Sequence, residues 1–194
     1  MEYANRYFEE VKAIAKSIDL KTIEKMVQII TSVKVQKGRM FFIGVGGSAA
    51  NCSHAVNDFR KIGGIESYTP GDNVAELTAR TNDEGWDTVY APWLECSQLS
   101  KNDLVFVFSV GGGSKEKNIS VNLIKALELA KSVSAKILGI IGRDGGYTKI
   151  NGDNIILIPN LENDLVTPLS ESFQAIIWHS LVSSPKLQIN KTKW

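Results

Sequence analysis

The sequence contains few of the residues on which several classes of protein depend. Its 194 residues include two cysteines and two histidines, and 22 basic residues face 21 acidic ones. Cys52 and Cys96 are too few for a disulfide scaffold, and a net charge of +1 gives no basis for binding a nucleic-acid backbone. No apolar run approaches the roughly 20 residues of a membrane helix. Because the N-terminus also lacks a signal-peptide pattern, we expect a cytoplasmic protein that binds neither nucleic acid nor membrane.

What is present fits one globular domain. Hydrophobic residues make up 43% of the chain and charged residues 22%, which are ordinary values, and this length can bury a substantial core. Residues 2–36 carry apolar side chains at helical spacing and predict a helical hairpin. Beyond them, strands alternate with helices, which indicates a parallel sheet covered on both faces. We therefore expect one domain, with the hairpin at 1–36 and an α/β core at 37–194.

Five apolar runs predict the strands of that sheet, at 39–43, 65–68, 103–109, 136–141 and 154–158. Asp72 is the expected cap of a helix that leads into a polar loop at 80–86. In that loop, Asn82 and Asp83 either bind sugar hydroxyls or cap the loop. The last helix is expected at 171–182. Ligands of such sheets bind at the carboxyl ends of strands, where two glycine loops and a third loop containing Asp144 lie.

The stretch from 44 to 58 combines a glycine turn with a histidine–carboxylate pair. The first strand runs into Gly-Val-Gly-Gly-Ser and then into a helix. Such a turn exposes backbone N–H groups at the start of a helix, where an anion is favoured. His54 and Asp58 follow, four residues apart and therefore neighbours on one helix face. We expect substrate phosphate and chemistry to meet on this element.

The same turn weakly matches a dinucleotide fingerprint, Gly-x-Gly-x-x-Ala. That fingerprint requires an acidic residue at the end of the second strand, and this strand ends Ser-Tyr-Thr-Pro, so no nucleotide cofactor is expected. A second loop, from Ser109 to Ser114, also joins a strand to a helix. With Ser48 it adds hydroxyl donors that suit a phosphate monoester. Two glycine–serine loops therefore favour a phosphorylated sugar, and the alternative is a tight turn without a ligand.

The second histidine, His179, follows Glu171 by two turns of the last predicted helix. Together with His54 and Asp58, the residues His179 and Glu171 provide two imidazoles and two carboxylates, a set that could bind zinc. Along a straight helix, Glu171 and His179 are about 12 Å apart. They can share a site only if the helix bends or if different chains supply them, and the latter places the site at a subunit interface.

In their order and spacing, these motifs resemble the sugar isomerase (SIS) domains, and more narrowly the bacterial phosphoheptose isomerases, also called sedoheptulose 7-phosphate isomerases. The resemblance covers nearly the whole chain. It implies a flavodoxin-like three-layer α/β subunit in a homotetramer with active sites between subunits. It also implies conversion of sedoheptulose 7-phosphate to D-glycero-D-manno-heptose 7-phosphate through an enediol, in the biosynthesis of nucleotide-activated heptose.

Residue by residue, the resemblance places substrate contacts at Val45, Gly46, Gly47, Ser48, Asn82, Asp83, Ser109 and Ser114. It places catalysis at Asp58 and His179. The positions that hold zinc in zinc-bound relatives correspond to His54, Asp58, Glu171 and His179. The chain departs from the family pattern at Val45 (usually Asn), at Asp58 (usually Glu), at Glu171 (usually Gln) and in the second loop, where 115–118 resembles an insertion.

Three questions stay open at this point. Asp58 is expected either as the base that shuttles a proton or as a zinc ligand, because a metal-bound carboxylate is a poorer base. The substrate is alternatively the phosphate of a pentose, a hexose or an amino sugar. A non-catalytic module that binds a sugar phosphate would keep the serine loops, but the joint presence of His54, Asp58 and His179 favours an enzyme.

Overall fold

At the centre of the molecule lies a five-stranded parallel sheet in the order β2-β1-β3-β4-β5. The computed structural model describes residues 1–159 and 163–191. The strands are β1 (Met40–Gly44), β2 (Ser67–Tyr68), β3 (Leu104–Ser109), β4 (Lys136–Ile141) and β5 (Asn154–Leu157). This is the flavodoxin-like strand order, whose direction of winding reverses between β1 and β3. The predicted α/β architecture is confirmed.

Helices flank the sheet on both faces. In the described ranges they are α1 (Glu2–Ser17), α2 (Leu20–Val35), α3 (Gly47–Lys61), α4 (Val74–Glu84), α5 (Ala91–Cys96), α6 (Val121–Ser132), α7 (Gly146–Asn151) and α8 (Val166–Val182). Helices α1 and α2 follow one another within the range predicted as a helical hairpin. Within the part of the chain that the structure describes, no helix is long and apolar enough to cross a membrane.

The side chains of each central strand point alternately into two core layers. Met40 and Phe42 pack with α1, α2, α3 and α8, whereas Phe41 and Ile43 pack with α5 and α6. Every residue of β1 and β3 is buried, which explains why these strands are continuous apolar runs in the sequence.

Helices α3 and α8 lie side by side and run in the same direction. Their contacts advance together along both helices, pairing Gly47 with Glu171, Ser48 with Gln174, His54 with Trp178, and Asp58 with His179. Helix α3 follows β1 directly, so both helices begin near the carboxyl edge of the sheet. Residues far apart in the sequence are therefore brought together in a fixed register.

The start of α4 corrects one expectation. Asn73 is the cap of this helix, and its Oδ1 accepts a hydrogen bond from the N–H of Glu76 at 3.2 Å. Asp72, which the sequence suggested as the cap, instead accepts a hydrogen bond from the Ser53 hydroxyl at 2.6 Å. Asp and Asn are nearly equivalent caps, so sequence alone does not separate adjacent candidates.

Two further boundaries differ from prediction. Residues 80–84, expected in a polar loop, are the last part of α4, whose exposed side chains give no apolar periodicity. Helix α8 begins at Val166 rather than at 171. Pro168 lies in its first turn, where the N–H that proline lacks would have no intrahelical partner.

Candidate active site

His54, Asp58 and His179 form one cluster where α3 packs against α8. From Oδ2 of Asp58, Nε2 of His179 is 3.5 Å away and Nε2 of His54 is 3.9 Å away. The two imidazole centroids are 5.3 Å apart. One ligand atom from each residue can be chosen so that all three lie within 4.8 Å of one another. The local pair that the sequence predicted thus gains His179 from the other end of the domain.

Hydrogen bonds orient two of these three groups. Nδ1 of His179 lies 2.7 Å from the carbonyl oxygen of Ala175, and because a carbonyl only accepts, we assign the proton to Nδ1 and a free lone pair to Nε2. Oδ1 of Asp58 accepts a hydrogen bond from the Asn57 amide at 2.8 Å, which leaves Oδ2 facing both imidazoles. Asp58 is buried, whereas the side chains of His54 and His179 are 57% and 47% exposed. The cluster is therefore open to solvent on its imidazole side.

Trp178 forms the inner wall of this cluster. Its ring is fully buried, stacks on His179 at a centroid distance of 3.6 Å and meets His54 edge-on at 4.7 Å. Its Nε1–H has no hydrogen-bond partner among the described residues. Nothing in the sequence distinguishes this tryptophan from an ordinary core residue, because its contact with both histidines depends on how α3 packs against α8.

Glu171 lies apart from the cluster. Its carboxylate rests against Gly47 at the start of α3, and about 12 Å of helix separates it from His179. The structure therefore brings together three of the four residues predicted as metal ligands, and it places the fourth beside the glycine turn.

A buried polar network holds the start of α3 against α8. The Gln174 side chain donates to the Ser48 hydroxyl at 3.0 Å and accepts from the Asn51 amide at 3.0 Å. The Asn51 amide also donates to the backbone carbonyl of Glu171 at 2.9 Å. Ser48, predicted to donate to phosphate, is buried in this network. Gln174 has no motif that would reveal it in the sequence.

A cleft of about 1090 Å³ opens at the carboxyl edge of the sheet. Val45, the loop after β3, the loop after β4 and Thr167 of α8 all line it. The cleft therefore lies at the carboxyl ends of β1, β3 and β4, the edge at which ligands usually bind in this architecture. The expectation that these three loops share one edge is confirmed.

Two of the predicted phosphate-binding serines line this cleft with hydroxyl protons available. Oγ of Ser109 accepts from the N–H of Gly112 at 3.0 Å, and Oγ of Ser114 accepts from the N–H of Lys117 at 3.2 Å. Each bond uses a lone pair of the hydroxyl, and neither proton has an acceptor among residues 1–159 and 163–191. Both hydroxyls can therefore donate to an anion in the cleft.

The apparent insertion at 115–118 is a short hairpin. Ser114 and Ile119 exchange two backbone hydrogen bonds, of 2.9 and 3.0 Å, and close it. Ser120 follows as the cap residue of α6 and also lines the cleft. The hairpin separates Ser120 from the serine motif along the chain, so the sequence did not single it out.

The remaining predicted contacts lie in two places. Gly46 has a left-handed φ of 66°, which suits glycine, and Val45 beside it faces the cleft. Asn82 and Asp83 lie on the exposed end of α4, where the Asn82 amide donates to the Asp83 carboxylate at 2.7 Å. Neither of them belongs to the residues that line the cleft.

Burial keeps two groups beneath the first glycine turn uncharged. It raises the pKa of the Cys52 thiol well above its ordinary value, an effect to which the charge of Asp72 adds. It likewise raises the pKa of Tyr90, whose hydroxyl donates to the carbonyl of Gly44 at 2.5 Å. A buried neutral thiol is a poor nucleophile, so Cys52 is a structural residue.

Comparison with known proteins identifies the family. No family model matches the chain. The lincomycin biosynthesis protein LmbN from Streptomyces lincolnensis is 34% identical over 158 residues, which cover 74% of this chain but 54% of LmbN. A probable phosphoheptose isomerase from Thermoplasma volcanium is 30% identical over 176 residues, which cover 88% of this chain and 85% of that relative. The chain belongs to the phosphoheptose isomerase family.

The fold agrees with this membership. The solved structure of phosphoheptose isomerase GmhA from Neisseria gonorrhoeae matches with a TM-score of 0.79 over 93% of each chain, at 19% identity. A likeness at that identity shows the shared fold alone. The resemblance to phosphoheptose isomerases that the motifs predicted is confirmed by the more similar relatives.

Proposed function

We propose that the chain is an aldose–ketose isomerase that converts sedoheptulose 7-phosphate to D-glycero-D-manno-heptose 7-phosphate through an enediol. The observation that carries the proposal is the cluster of Asp58, His54 and His179 in a member of the phosphoheptose isomerase family. The product would enter the biosynthesis of nucleotide-activated heptose.

Asp58 is the proposed base. Isomerisation moves a proton between C1 and C2, which requires a base at one face of the enediol and a group that stabilises its oxygens. Oδ2 of Asp58 faces both imidazoles, while Asn57 fixes Oδ1. Asp58 would take the proton from one carbon and return it to the other. His179, with its Nε2 lone pair, would exchange protons with the substrate oxygens.

Zinc is the cofactor that we propose for this cluster. Two imidazoles and a carboxylate, open to solvent on one side, fit a catalytic zinc site with three protein ligands. The bond from Nδ1 of His179 to the Ala175 carbonyl is of the kind that orients zinc-binding histidines. A bound zinc ion would polarise the substrate oxygens. Asp58 would then act chiefly as a ligand, so the two roles of Asp58 remain alternatives within the proposal.

We further propose that neighbouring subunits of a homotetramer complete each active site. Thr167 lines the cleft, and His179 lies about 18 Å further along α8. The carbon chain of a heptose, with bonds of about 1.5 Å, spans less than about 9 Å. A substrate whose phosphate binds beside Thr167 would not reach the cluster of the same subunit, and this is why we propose that it meets the cluster of a neighbouring subunit.

A second candidate is the isomerisation of a different phosphosugar. The carboxylate of Glu171 against Gly47 adds negative charge at the turn where a sugar phosphate is expected. Val45 offers no side-chain donor there. Both features bear on which sugar fits, and neither bears on the reaction class.

The test is an isomerase assay on sedoheptulose 7-phosphate and on a panel of pentose, hexose and amino-sugar phosphates. Asp58→Asn and His179→Ala should each lower kcat by about 10²- to 10⁴-fold, while Glu95→Gln, at an exposed carboxylate of α5, should match the wild type. Wild-type turnover by both site variants would contradict the proposal. Tight binding of one phosphosugar without turnover of any would indicate a non-catalytic module.

A further inference from the structure

The loop after β4 and the first turn of α7, residues 142–148, are bound directly to the serine loop, beginning with the N–H of Gly142, which donates to the carbonyl of Ser109 at 3.1 Å. The N–H of Tyr147 donates to the carbonyl of Gly113 at 2.8 Å, and the N–H of Thr148 donates to that of Gly112 at 3.0 Å. The Thr148 hydroxyl donates to the same Gly112 carbonyl at 2.8 Å. The two loops therefore form one unit, and the backbone of the first has a fixed position relative to the serines on the second.

Arg143 is the cation that this unit presents to the cleft. Its backbone has a left-handed φ of 50°, which is unfavourable for a residue with a side chain and is often found at functional sites. Its side chain passes beside Gly111 and lines the cleft with Ser109 and Ser114. No acceptor or carboxylate in the described part of the chain binds its guanidinium.

The other charged side chains of the cleft are engaged or balanced. The ammonium group of Lys115 pairs with Glu128. Lys117 and Glu116 are adjacent on the exposed hairpin, where their charges offset each other. Asp144, which follows Arg143 in the chain, accepts a hydrogen bond from the N–H of Gly146 at 3.1 Å, and among the described residues it makes no ion pair with the Arg143 guanidinium. The guanidinium of Arg143, an exposed residue, is therefore left unpaired in the cleft that Ser109 and Ser114 also line.

We propose that Arg143 binds the phosphate of the substrate. That the phosphate belongs to a sugar rests on the proposed function, whereas the binding of a phosphate anion by Arg143 does not. A guanidinium presents two parallel N–H groups to two phosphate oxygens. The hydroxyl protons of Ser109 and Ser114 supply neutral donors to the same group. Val110 and Gly111 of the serine loop carry no hydroxyl, so Arg143 adds a donor that this part of the loop lacks. The ligand class is a phosphate monoester dianion at the end of a polyhydroxyl chain.

The test compares Arg143→Ala, Arg143→Lys and Arg143→Asn with Lys149→Ala, which removes an exposed positive charge from α7 outside the cleft lining. Asparagine tolerates the left-handed conformation, so it separates loss of charge from loss of loop structure. The measurements are the Kd for inorganic phosphate by calorimetry, the KM and kcat for the phosphosugar, and the thermal midpoint as a check on folding.

Arg143→Ala and Arg143→Asn should weaken phosphate binding and raise KM by about 10- to 100-fold, with kcat within about threefold of wild type. Arg143→Lys should lose less phosphate affinity, since it keeps the charge but not the paired donors. The phosphate affinity and KM of Lys149→Ala should stay within about twofold of the wild type. The proposal would be overturned if phosphate affinity and KM were unchanged in both Arg143→Ala and Arg143→Asn. It would also be overturned if Lys149→Ala lost as much phosphate affinity as these variants. If Arg143→Ala loses affinity for phosphate but the wild type turns over no phosphosugar, the anion site is supported and the isomerase function is contradicted. If the wild type turns over the phosphosugar normally and Arg143→Ala leaves KM unchanged, the isomerase function is supported and the role of Arg143 is contradicted.

Discussion

Nε2 of His179 lies 3.5 Å from Oδ2 of Asp58, so the last helix of the domain meets the first helix of the α/β core at the proposed catalytic carboxylate. This contact depends on the parallel packing of α3 and α8. It also separates the proposed metal ligands from Glu171, which lies near the other end of the same helix pair.

Zinc binding should depend on the three clustered residues and not on Glu171, which lies apart from them. We expect His54→Ala, Asp58→Asn and His179→Ala each to weaken zinc binding by at least about 100-fold, because loss of a ligand exceeds the 10- to 100-fold effect of losing a supporting contact. Glu171→Gln should retain the zinc content of the wild type. The measurement is metal per subunit after dialysis, together with loss of activity on chelation and its recovery with zinc. Loss of zinc from Glu171→Gln would show that Glu171 is a ligand, supplied from another subunit.

Trp178 should stabilise the cluster through its ring and not through its N–H. Because Nε1 has no described partner, Trp178→Phe should change the free energy of unfolding by less than about 1 kcal/mol. Trp178→Ala should cost about 3–5 kcal/mol through the cavity that it leaves, and it should also weaken zinc binding. Denaturant unfolding measures the first effect, with Trp93→Phe on the opposite core layer as the control. A large loss in Trp178→Phe would mean that the N–H has a partner.

Asp103 should make stability depend on pH in the acid range. Burial raises the pKa of this carboxyl, but hydrogen bonds from Arg39 and Ser100 outweigh burial and hold the pKa below its ordinary value. Its stabilisation is therefore complete above the ordinary pKa of about 3.9 and is lost as pH falls through the lower, folded-state pKa. Asp103→Asn should lower the unfolding free energy by about 3 kcal/mol at pH 7.

The deficit of Asp103→Asn should begin to shrink below about pH 4, where the carboxyl of the unfolded wild-type chain takes up a proton, and it should continue to shrink as pH falls through the lower, folded-state pKa. Glu9→Gln is the matched control, because Glu9 pairs with Lys12 on the exposed face of α1 and such pairs contribute less than about 1 kcal/mol. A deficit that is the same at pH 3 and pH 7 would contradict this account.

An oligomer assembled from subunits of two different inactive variants should regain part of the isomerase activity. Asp58→Asn damages the cluster, and Ser114→Asp places a negative charge in the cleft. If each active site combines the cleft of one subunit with the cluster of another, random mixing leaves about a quarter of the sites intact. Co-expression with two affinity tags, followed by assay of the doubly purified oligomer, measures this. Mixed oligomers without activity would place both halves of the site in one subunit.

The sequence predicted the strands better than the ends of the helices. Buried parallel strands are continuous apolar runs and stand out from their flanks. Residues 80–84 are polar on an exposed helix, so their helical state was not visible in the pattern. The choice between Asp72 and Asn73 as a cap depends on one hydrogen bond that the sequence does not specify.

For the site, local spacing was sufficient where both residues lie on one helix. His54 and Asp58 were paired correctly because four residues are one turn. The addition of His179 depends on the packing of two distant helices, and the involvement of Trp178 depends on that same packing. Arg143 gains its position from contacts between two loops, which no single-segment pattern records.

The contact between those loops also restricts which substitutions the protein can accept. A Cβ on Gly112 would lie 2.0 Å from the carbonyl oxygen of Gly145, and one on Gly146 would lie 2.3 Å from that of Gly111. Any larger residue there would push the serine loop away from Arg143. In a library of all single substitutions, glycines that carry no functional group should thus rank with Asp58 and the histidines among the least replaceable positions for growth that depends on the enzyme.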